Sequence, residues 1–324
     1  MYAPQTYFVA LILMLISMVC WGSWPNFLKK LPGWRLEYFY IDYTLGFLIT
    51  AILFGVTLGP GDGLGFFDVV FQAGAREAAF AIVGGFIWNI GNILLLTAIV
   101  IAGLAVAFPI AAIPAIVLGL GASYWLQPVG NGWVLAVSAL ILLVAAQVTA
   151  TAYRRLGHVT TVDKTKGITL ALVSGLLIGF FPPFVTAAIS GSSALDSYTV
   201  SVLYMVGACL ATLIAIPILV RWPLVGEAGD ISGYFRGSTT WHVLGLLAGA
   251  VWCSGTVFNF ISAGLVGVAI SVGIGSGAPM VGALWGVFVW DEFAKGPPSS
   301  RKFIGAALIL YSVGVATMAV AYTI

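Results

Sequence analysis

Ten long apolar stretches constrain the fold of this chain more than any other feature of its sequence. Each is long enough to cross the hydrocarbon core of a bilayer, which takes about 20 helical residues. Membrane strands are shorter and alternate apolar with polar residues, so these continuous runs predict helices. Only 7% of the 324 residues are charged. We therefore predict an all-α membrane protein with ten transmembrane helices, spans one to ten, over residues 7–28, 37–59, 78–101, 103–126, 132–153, 167–189, 197–220, 240–262, 265–290 and 302–323.

The second half of the chain repeats the first. The motif Gly-x-x-Trp-x-x-Gly occupies Gly85–Gly91 and again Gly249–Gly255, and a further glycine follows at Gly103 and at Gly267. Other equivalent pairs lie beyond them: Pro114 and Pro279, Gly121 and Gly286, Trp125 and Trp290. These equivalences divide the chain into two repeats with five spans each.

An odd number of spans in each repeat forces the second repeat to cross the bilayer in the opposite direction. We therefore predict two inverted five-helix repeats, residues 1–156 and 167–324, joined by a short cytoplasmic linker at 157–166. Inverted repeats are the architecture of alternating-access carriers. The repetition thus points to transport.

Basic residues are distributed unevenly among the predicted loops. Of the 13 Lys and Arg residues, all except Arg76 fall on one side of the predicted membrane. Loops rich in Lys and Arg face the cytoplasm. We expect a protein of the cell membrane, with these loops in the cytoplasm and both termini outside. The net charge of +2 reflects this orientation and predicts no nucleic-acid partner; association into a homo-oligomer stays open.

Polar and aromatic side chains occupy equivalent faces of spans three and eight. They are Trp88, Asn89 and Asn92 on span three and Trp252, Thr256 and Asn259 on span eight. Tryptophan offers a flat stacking surface with one donor, and asparagine offers a donor and an acceptor. Such faces suit a small, neutral, polar solute with a planar or ring shape. The alternative is that the amides hold helices together and the indoles fill the core.

Helix-breaking residues also recur in both repeats. Span four contains Pro109 and Pro114, and span nine contains the glycine-rich run 273–277 followed by Pro279. In carriers of this architecture, matched breaks near mid-membrane mark the binding site. The alternative is that glycine and proline are simply common in transmembrane helices.

The first spans of the two repeats share the pattern Gly-x-aromatic-Pro-x-Phe, at residues 22–27 and 179–184. Its aromatic residues, Trp24 and Phe181, fall near opposite ends of the predicted spans. Pseudo-symmetry therefore predicts two gates, and kinks with interfacial aromatic residues are the alternative.

Two carboxylates lie at the start of span two, Glu37 at its mouth and Asp42 about one turn inside. An acidic residue inside the membrane is commonly a proton or ion site. We therefore name both as candidates for proton coupling. For either one, the alternative is an ion pair with Lys29, Lys30 or Arg35 across the short loop.

The sequence predicts neither an enzyme nor a bound cofactor or metal. His158 and His242 stand alone in or beside loops, with no second ligand at metal spacing. The glycine-rich run 273–277 follows no strand, so it does not predict a nucleotide-binding loop. A channel is disfavoured because few polar residues lie at mid-depth, whereas an exporter of hydrophobic or drug-like compounds remains an alternative.

One segment carries a family resemblance. Residues 20–46 read Cys-Trp-Gly-Ser-Trp-Pro-Asn and then Arg-x-Glu-x-Phe-Tyr-x-Asp-Tyr-x-x-Gly. This resembles the ureide permeases and the bacterial sugar porters of the glucose/rhamnose group, within the drug/metabolite transporter superfamily. The resemblance implies proton-coupled secondary transport of a small polar solute such as a ureide, a nucleobase or a sugar. It adds Asn26 and Tyr43 to the candidate substrate contacts. Plant ureide permeases carry a long loop between the halves, whereas 154–166 is short here.

Overall fold

The computed structural model describes residues 1–60, 65–157 and 163–324, and ten helices in these ranges are long and apolar enough to cross a membrane. They are Tyr7–Lys30, Leu36–Leu58, Ala75–Ala102, Val106–Leu126, Gly132–Arg154, Thr165–Ala188, Ser197–Arg221, Thr239–Val266, Val268–Phe288 and Pro298–Val320. Each has a predicted counterpart, and no strand occurs in the described ranges. The predicted class, an all-α membrane protein with ten transmembrane helices, is confirmed.

Shorter helices lie at the ends of several spans. Span one is an α-helix over Tyr7–Ser23 that continues as a 3-10 helix over Trp24–Lys30. Pro25 lies at the start of this 3-10 helix, where its missing N–H removes one bond of the α-helical ladder. A short helix, Phe66–Phe71, precedes span three, and a 3-10 helix, Ile231–Arg236, precedes span eight.

The predicted helix breaks are realised differently in spans four and nine. Span four lies within one continuous α-helix, Leu104–Leu126, that accommodates both of its prolines. Span nine is divided into Val268–Gly275 and Ala278–Phe288. A proline removes one donor and can leave a helix merely kinked. The glycine-rich run ahead of Pro279 adds backbone freedom, which agrees with the full division there.

Both of these spans begin at a glycine with a left-handed backbone. Gly103 has φ 79° and ψ 152°, and Gly267 has φ 81° and ψ 153°. A side chain is strongly disfavoured at such angles, so both positions require glycine. The same local geometry at two equivalent positions is consistent with the predicted repeat.

The described residues pack into two units. Unit 1 contains Met1–Ile90 and Phe184–Leu265. It therefore holds spans one, two and seven, nearly all of span eight, and parts of spans three and six. Its largest fully buried side chains are mainly aromatic: Phe39, Tyr40, Tyr43, Phe47, Tyr198, Tyr204 and Phe260.

Unit 2 contains Gly91–Pro183 and Val266–Ile324. It holds spans four, five, nine and ten, with the remaining parts of spans three and six. Part of its core is built from small residues, among them Ala98, Ala107, Ala111 and Ala171. Spans five and ten pack along each other in this unit.

Each unit combines spans from both predicted repeats. The repeats are equivalences along the sequence, whereas the units are groups of packed residues, so the division at 157–166 stays a prediction. Most of that linker, residues 158–162 with His158 among them, lies outside the described residues.

Candidate functional site

Glycines bring two pairs of helices of unit 1 into close contact. A Cβ at Gly249 on span eight would overlap the carbonyl oxygen of Tyr43 on span two. A Cβ at Gly85 on span three would overlap the carbonyl oxygen of Tyr204 on span seven. Small residues let membrane helices approach at backbone distance. The first glycine of each Gly-x-x-Trp-x-x-Gly motif therefore positions the tryptophan that follows it.

The two motif tryptophans stack on each other. The ring centroids of Trp88 and Trp252 are 4.1 Å apart, with 24° between the ring planes. Their side chains are almost fully buried, with 6% and 5% exposed. The sequence predicted equivalent faces for spans three and eight, and the structure brings their indoles into contact.

Further aromatic rings extend this stack along span two. Phe47 contacts Trp252 at 4.5 Å between centroids and Tyr43 at 4.3 Å. Tyr43 in turn stacks on Trp24 at 4.6 Å, with 27° between the planes. We call Trp24, Tyr43, Phe47, Trp88 and Trp252 the aromatic cluster. It joins the predicted gate residue of span one to the tryptophans of spans three and eight.

Polar groups lie beside the aromatic cluster. Thr256 is 1% exposed and accepts a hydrogen bond from the indole Nε1 of Trp21 at 3.1 Å. The hydroxyl of Tyr43 is buried and has no hydrogen-bond partner among the described residues. A buried polar group without a partner is costly, so this hydroxyl is a candidate contact for a polar ligand.

The side chain of Asn89 is fully buried next to Trp88. Its Nδ2 donates to the carbonyl of Ala208 and to the hydroxyl of Thr212, both at 2.7 Å on span seven. Its Oδ1 has no partner in the described part of the chain. The donors of Asn89 therefore hold two helices together, as one of the two interpretations predicts, and its acceptor oxygen is buried without a partner among the described residues.

The remaining predicted contacts are not members of the aromatic cluster. Asn26 donates to the carbonyl of Ser23 at 2.8 Å, within the first turn of the 3-10 helix. Asn259 is fully buried one turn beyond Thr256 on span eight. Asn92 and Phe181 are buried in unit 2, so their part in the site stays a prediction.

The two carboxylates of span two have different partners. Glu37 pairs with Arg35 at 3.1 Å, which confirms the ion-pair interpretation for this residue. Asp42 is 2% exposed; its Oδ1 accepts from the hydroxyl of Tyr234 at 2.6 Å, and its Oδ2 lies 2.8 Å from Nδ1 of His242. The expectation that His242 stands alone is therefore wrong, because the fold brings it to a carboxylate 200 residues away.

Sequence reasoning missed Phe47, Tyr234 and His242. Phe47 follows Tyr43 by four residues and so shares its helix face, which was a usable signal. Tyr234 lies in a 3-10 helix outside the spans, where no periodicity marks it. Asp42 and His242 both lie near the start of a span, and the predicted topology puts both starts on the same side.

The fold and this interior define a polytopic helical membrane protein with buried polar groups against an aromatic core. No family model matches the chain. A solved crystal structure, described only as that of a protein, has a TM-score of 0.62 and covers 97% of this chain and 96% of its own. Its sequence identity is 16%, so it shows a likeness of fold alone.

Two kinds of relative match along nearly the whole chain. Ureide permease 1 of Arabidopsis thaliana is 22% identical, over 98% of this chain and 98% of that protein. RbsU of Staphylococcus aureus (strain COL), named as a candidate ribose uptake protein, is 24% identical over 95% and 97%. Together with the ten apolar helices, these relatives identify a multi-pass membrane transport protein. The resemblance to ureide permeases is thereby supported; the superfamily and the glucose/rhamnose group stay predictions.

Proposed function

We propose that this protein is a secondary active transporter that works by alternating access and carries a small, neutral, polar solute together with protons. The observation that carries the proposal is the stack of Trp88 on Trp252, with buried hydrogen-bonding groups beside it. Sites for small molecules are lined mainly by apolar and aromatic side chains, with a few placed polar groups that fix orientation.

The chemistry of the site supports the choice of solute. Tyr43 has a hydroxyl and Asn89 an acceptor oxygen that no described residue satisfies. A solute with both donors and acceptors on a compact frame would meet these groups. Relatives named for ureides and for ribose have such solutes. We therefore propose a ureide, a nucleobase or a sugar, and an exporter of hydrophobic compounds fits these polar groups less well.

The alternating-access part of the proposal rests on the repeats. Span eight packs closely on span two where Gly249 meets Tyr43, and span three packs closely on span seven where Gly85 meets Tyr204. In two inverted repeats of five spans, span three is equivalent to span eight and span two to span seven. The two contacts are therefore the pair that such repeats would make. Trp24 and Phe181, at equivalent positions of the two repeats, are the proposed gates. The proposed orientation follows the basic loops, with both termini outside the cell.

Proton coupling is proposed for Asp42. Glu37 is already paired with Arg35, whereas the partners of Asp42 are a phenol and an imidazole. A carboxylate with such partners can gain and lose a proton during a transport cycle.

The test is uptake into proteoliposomes that contain the purified protein. Ureides, nucleobases, nucleosides and sugars are first screened by thermal shift, because a true ligand stabilises the folded state by mass action. The ligand found is then offered with and without an inward proton gradient, and uptake is expected to rise with the gradient. If uptake does not depend on the gradient, the proposed proton coupling is refuted. If no solute in the screen stabilises the protein, the proposed solute class is refuted.

A matched pair of variants tests the site. Trp88→Leu removes one ring of the stack and should lower affinity for the solute at least about tenfold, since stacking on an aromatic ring is worth roughly 1–3 kcal/mol. Trp133→Leu changes a tryptophan that is 85% exposed and should leave affinity unchanged. Equal affinities in the two variants would refute the site.

A further inference from the structure

Three side chains from separate elements of unit 1 meet around one buried carboxylate. Asp42 comes from span two, His242 from the first turn of span eight, and Tyr234 from the 3-10 helix Ile231–Arg236. Each carboxylate oxygen has its own partner, Tyr234 at 2.6 Å and His242 at 2.8 Å. The rings of Tyr234 and His242 also contact each other, with centroids 4.7 Å apart.

The backbone around this group fits closely against it. A Cβ at Gly245 would lie 2.6 Å from Cβ of Asp42, and a Cβ at Gly237 would lie 2.8 Å from Nε2 of His242. The ring of Trp34 covers His242 edge-on, at 5.4 Å between centroids and 84° between planes. The segment that joins spans seven and eight is therefore seated on span two around the carboxyl group of Asp42.

The same segment has two further attachments that do not depend on a proton. The hydroxyl of Tyr38 donates to the carbonyl of Asp230 at 2.5 Å, and a guanidinium nitrogen of Arg35 donates to the carbonyl of Glu227 at 2.9 Å. Both acceptors are backbone carbonyls, which do not titrate. They provide a reference against which the contribution of Asp42 can be measured.

We propose that Asp42, His242 and Tyr234 form a proton-binding latch that holds the segment between spans seven and eight on span two. The latch is strongest when the carboxylate is ionised and the imidazole is protonated, because both hydrogen bonds to Asp42 then come to a charged acceptor and one comes from a charged donor. Loss of the imidazolium proton removes the charge on the donor and so weakens the hydrogen bond to Oδ2. When Oδ2 of Asp42 is protonated, its O–H group and the N–H group of the imidazolium are both donors, so the hydrogen bond between them is lost. The segment is therefore held less tightly at both extremes of pH.

Other charged or titratable groups lie on the elements of the latch and on those packed against them. They are Lys29 and Lys30 on the 3-10 helix of span one, Arg35, Glu37 and Tyr38 on or beside span two, Arg221 at the end of span seven, and Glu227, Asp230 and Arg236 on the joining segment. Two groups of the segment keep one protonation state through the relevant range. The hydrogen bond from the Ser232 backbone amide lowers the pKa of Asp230, so this carboxylate stays charged. Burial, with Asp42 close by, raises the pKa of Tyr234, so its hydroxyl stays protonated.

The experiment is hydrogen–deuterium exchange of the intact protein in nanodiscs, without any solute, between about pH 3 and pH 9, a window that brackets the ordinary values of a carboxylic acid, about 3.9, and of an imidazole, about 6.5. Exchange of amides 231–242 is expressed relative to the intrinsic rate at each pH. We expect protection to pass through a maximum and to fall roughly tenfold on each side, as one charged hydrogen bond is lost. A flat profile in the unmodified protein overturns the latch.

Variants assign the two sides of the profile. Asp42→Asn keeps an acceptor for Tyr234 but cannot titrate, so the maximum should disappear. His242→Asn should abolish the alkaline fall and keep the acid one. Tyr38→Phe is the matched control: it removes one proton-independent attachment, so protection should drop by the same factor at every pH and the maximum should stay in place. A maximum that survives Asp42→Asn, or that moves in Tyr38→Phe, contradicts the assignment.

The latch rests on the proposed function only in linking this proton to transport, and the two can fail separately. Proton-driven uptake by a protein with a flat exchange profile would place the coupling elsewhere and overturn the latch. A clear maximum in a protein whose uptake ignores the proton gradient would leave the latch standing and remove the proposed coupling.

Discussion

The amide of Asn89 offers the sharpest test of whether span three binds a solute or only packs. Its Nδ2 makes two hydrogen bonds to span seven, each 2.7 Å long. Hydrogen bonds between membrane helices average about 0.6 kcal/mol and reach about 1.7 kcal/mol. Asn89→Leu should therefore lower the free energy of unfolding by about 1 to 3 kcal/mol, the sum of two such bonds. Thr212→Val, which removes one acceptor, should cost about half as much.

The assay is reversible unfolding in mixed micelles, in which the fraction of denaturing detergent is raised and helicity is followed by circular dichroism. A double-mutant cycle over Asn89→Leu and Thr212→Val isolates the bond between these two side chains. We expect a coupling energy of about 0.6 kcal/mol or more. The effects of independent sites add to within about 0.3–0.5 kcal/mol. A coupling energy no larger than that would refute the hydrogen bond between spans three and seven.

Ligand affinity separates packing from binding. On the proposed function, the Oδ1 of Asn89, which has no partner among the described residues, contacts the solute, and Thr212→Val leaves this atom in place. We expect Asn89→Leu to weaken binding of the solute found by thermal shift at least about tenfold, the effect of one lost hydrogen bond in a buried site. Thr212→Val should leave affinity unchanged. Equal, small effects on affinity in both variants would remove Asn89 from the site and leave it as a helix contact.

Two further predictions concern packing and pH. Gly85→Ala places a methyl group against the carbonyl of Tyr204. Overpacking should lower the free energy of unfolding by about 1–3 kcal/mol, and the better helix propensity of alanine should offset about 1 kcal/mol of this loss. Gly305→Ala, which meets open space on span ten, should be neutral or stabilising in the same unfolding assay, and equal effects would contradict the close approach. Because burial and Asp42 raise the pKa of Tyr234, the stability contributed by its hydroxyl should be fully present below the ordinary tyrosine value of about 10 and be lost as the pH rises beyond it. The difference in unfolding free energy between the unmodified protein and Tyr234→Phe measures this, and a loss already complete at neutral pH would contradict it.

The spans were predictable because a membrane-crossing helix needs a minimum length and hydrophobicity, and both properties can be read from the local sequence. The faces of spans three and eight were predictable in the same way, since helical spacing places Trp88 with Asn89 and Trp252 with Thr256. Periodicity shows which residues share a face of one helix, but it does not show which helix faces pack against each other. The stack of Trp88 on Trp252 and the bonds from Asn89 to span seven depend on helix packing, and the sequence contains no local signal for them.

The error over His242 has a similar cause. A histidine without neighbours at metal spacing looks isolated only while distance is measured along the chain. Spans two and eight run in the same direction in the predicted topology, so residues near their starts lie on one side of the membrane. Comparing depth across spans, instead of spacing within a span, would have marked Asp42 and His242 as candidates for a pair.

Equivalent positions of the two predicted repeats make some contacts in common and differ in others. Tyr43 and Tyr204 each lie three residues before the glycine that opens a close helix contact, Gly46 and Gly207, and each carbonyl meets a motif glycine of the other repeat. Packing is thus duplicated. The latch is not: four residues before Gly46 stands Asp42, whereas four residues before Gly207 stands Leu203. On the proposed function, a duplicated framework gives a carrier two similar conformations, and an ionisable group present in only one repeat gives the proton an unequal effect on them. Binding of the proton can then favour one of the two conformations, because a ligand shifts a conformational equilibrium only by its difference in affinity for the two states.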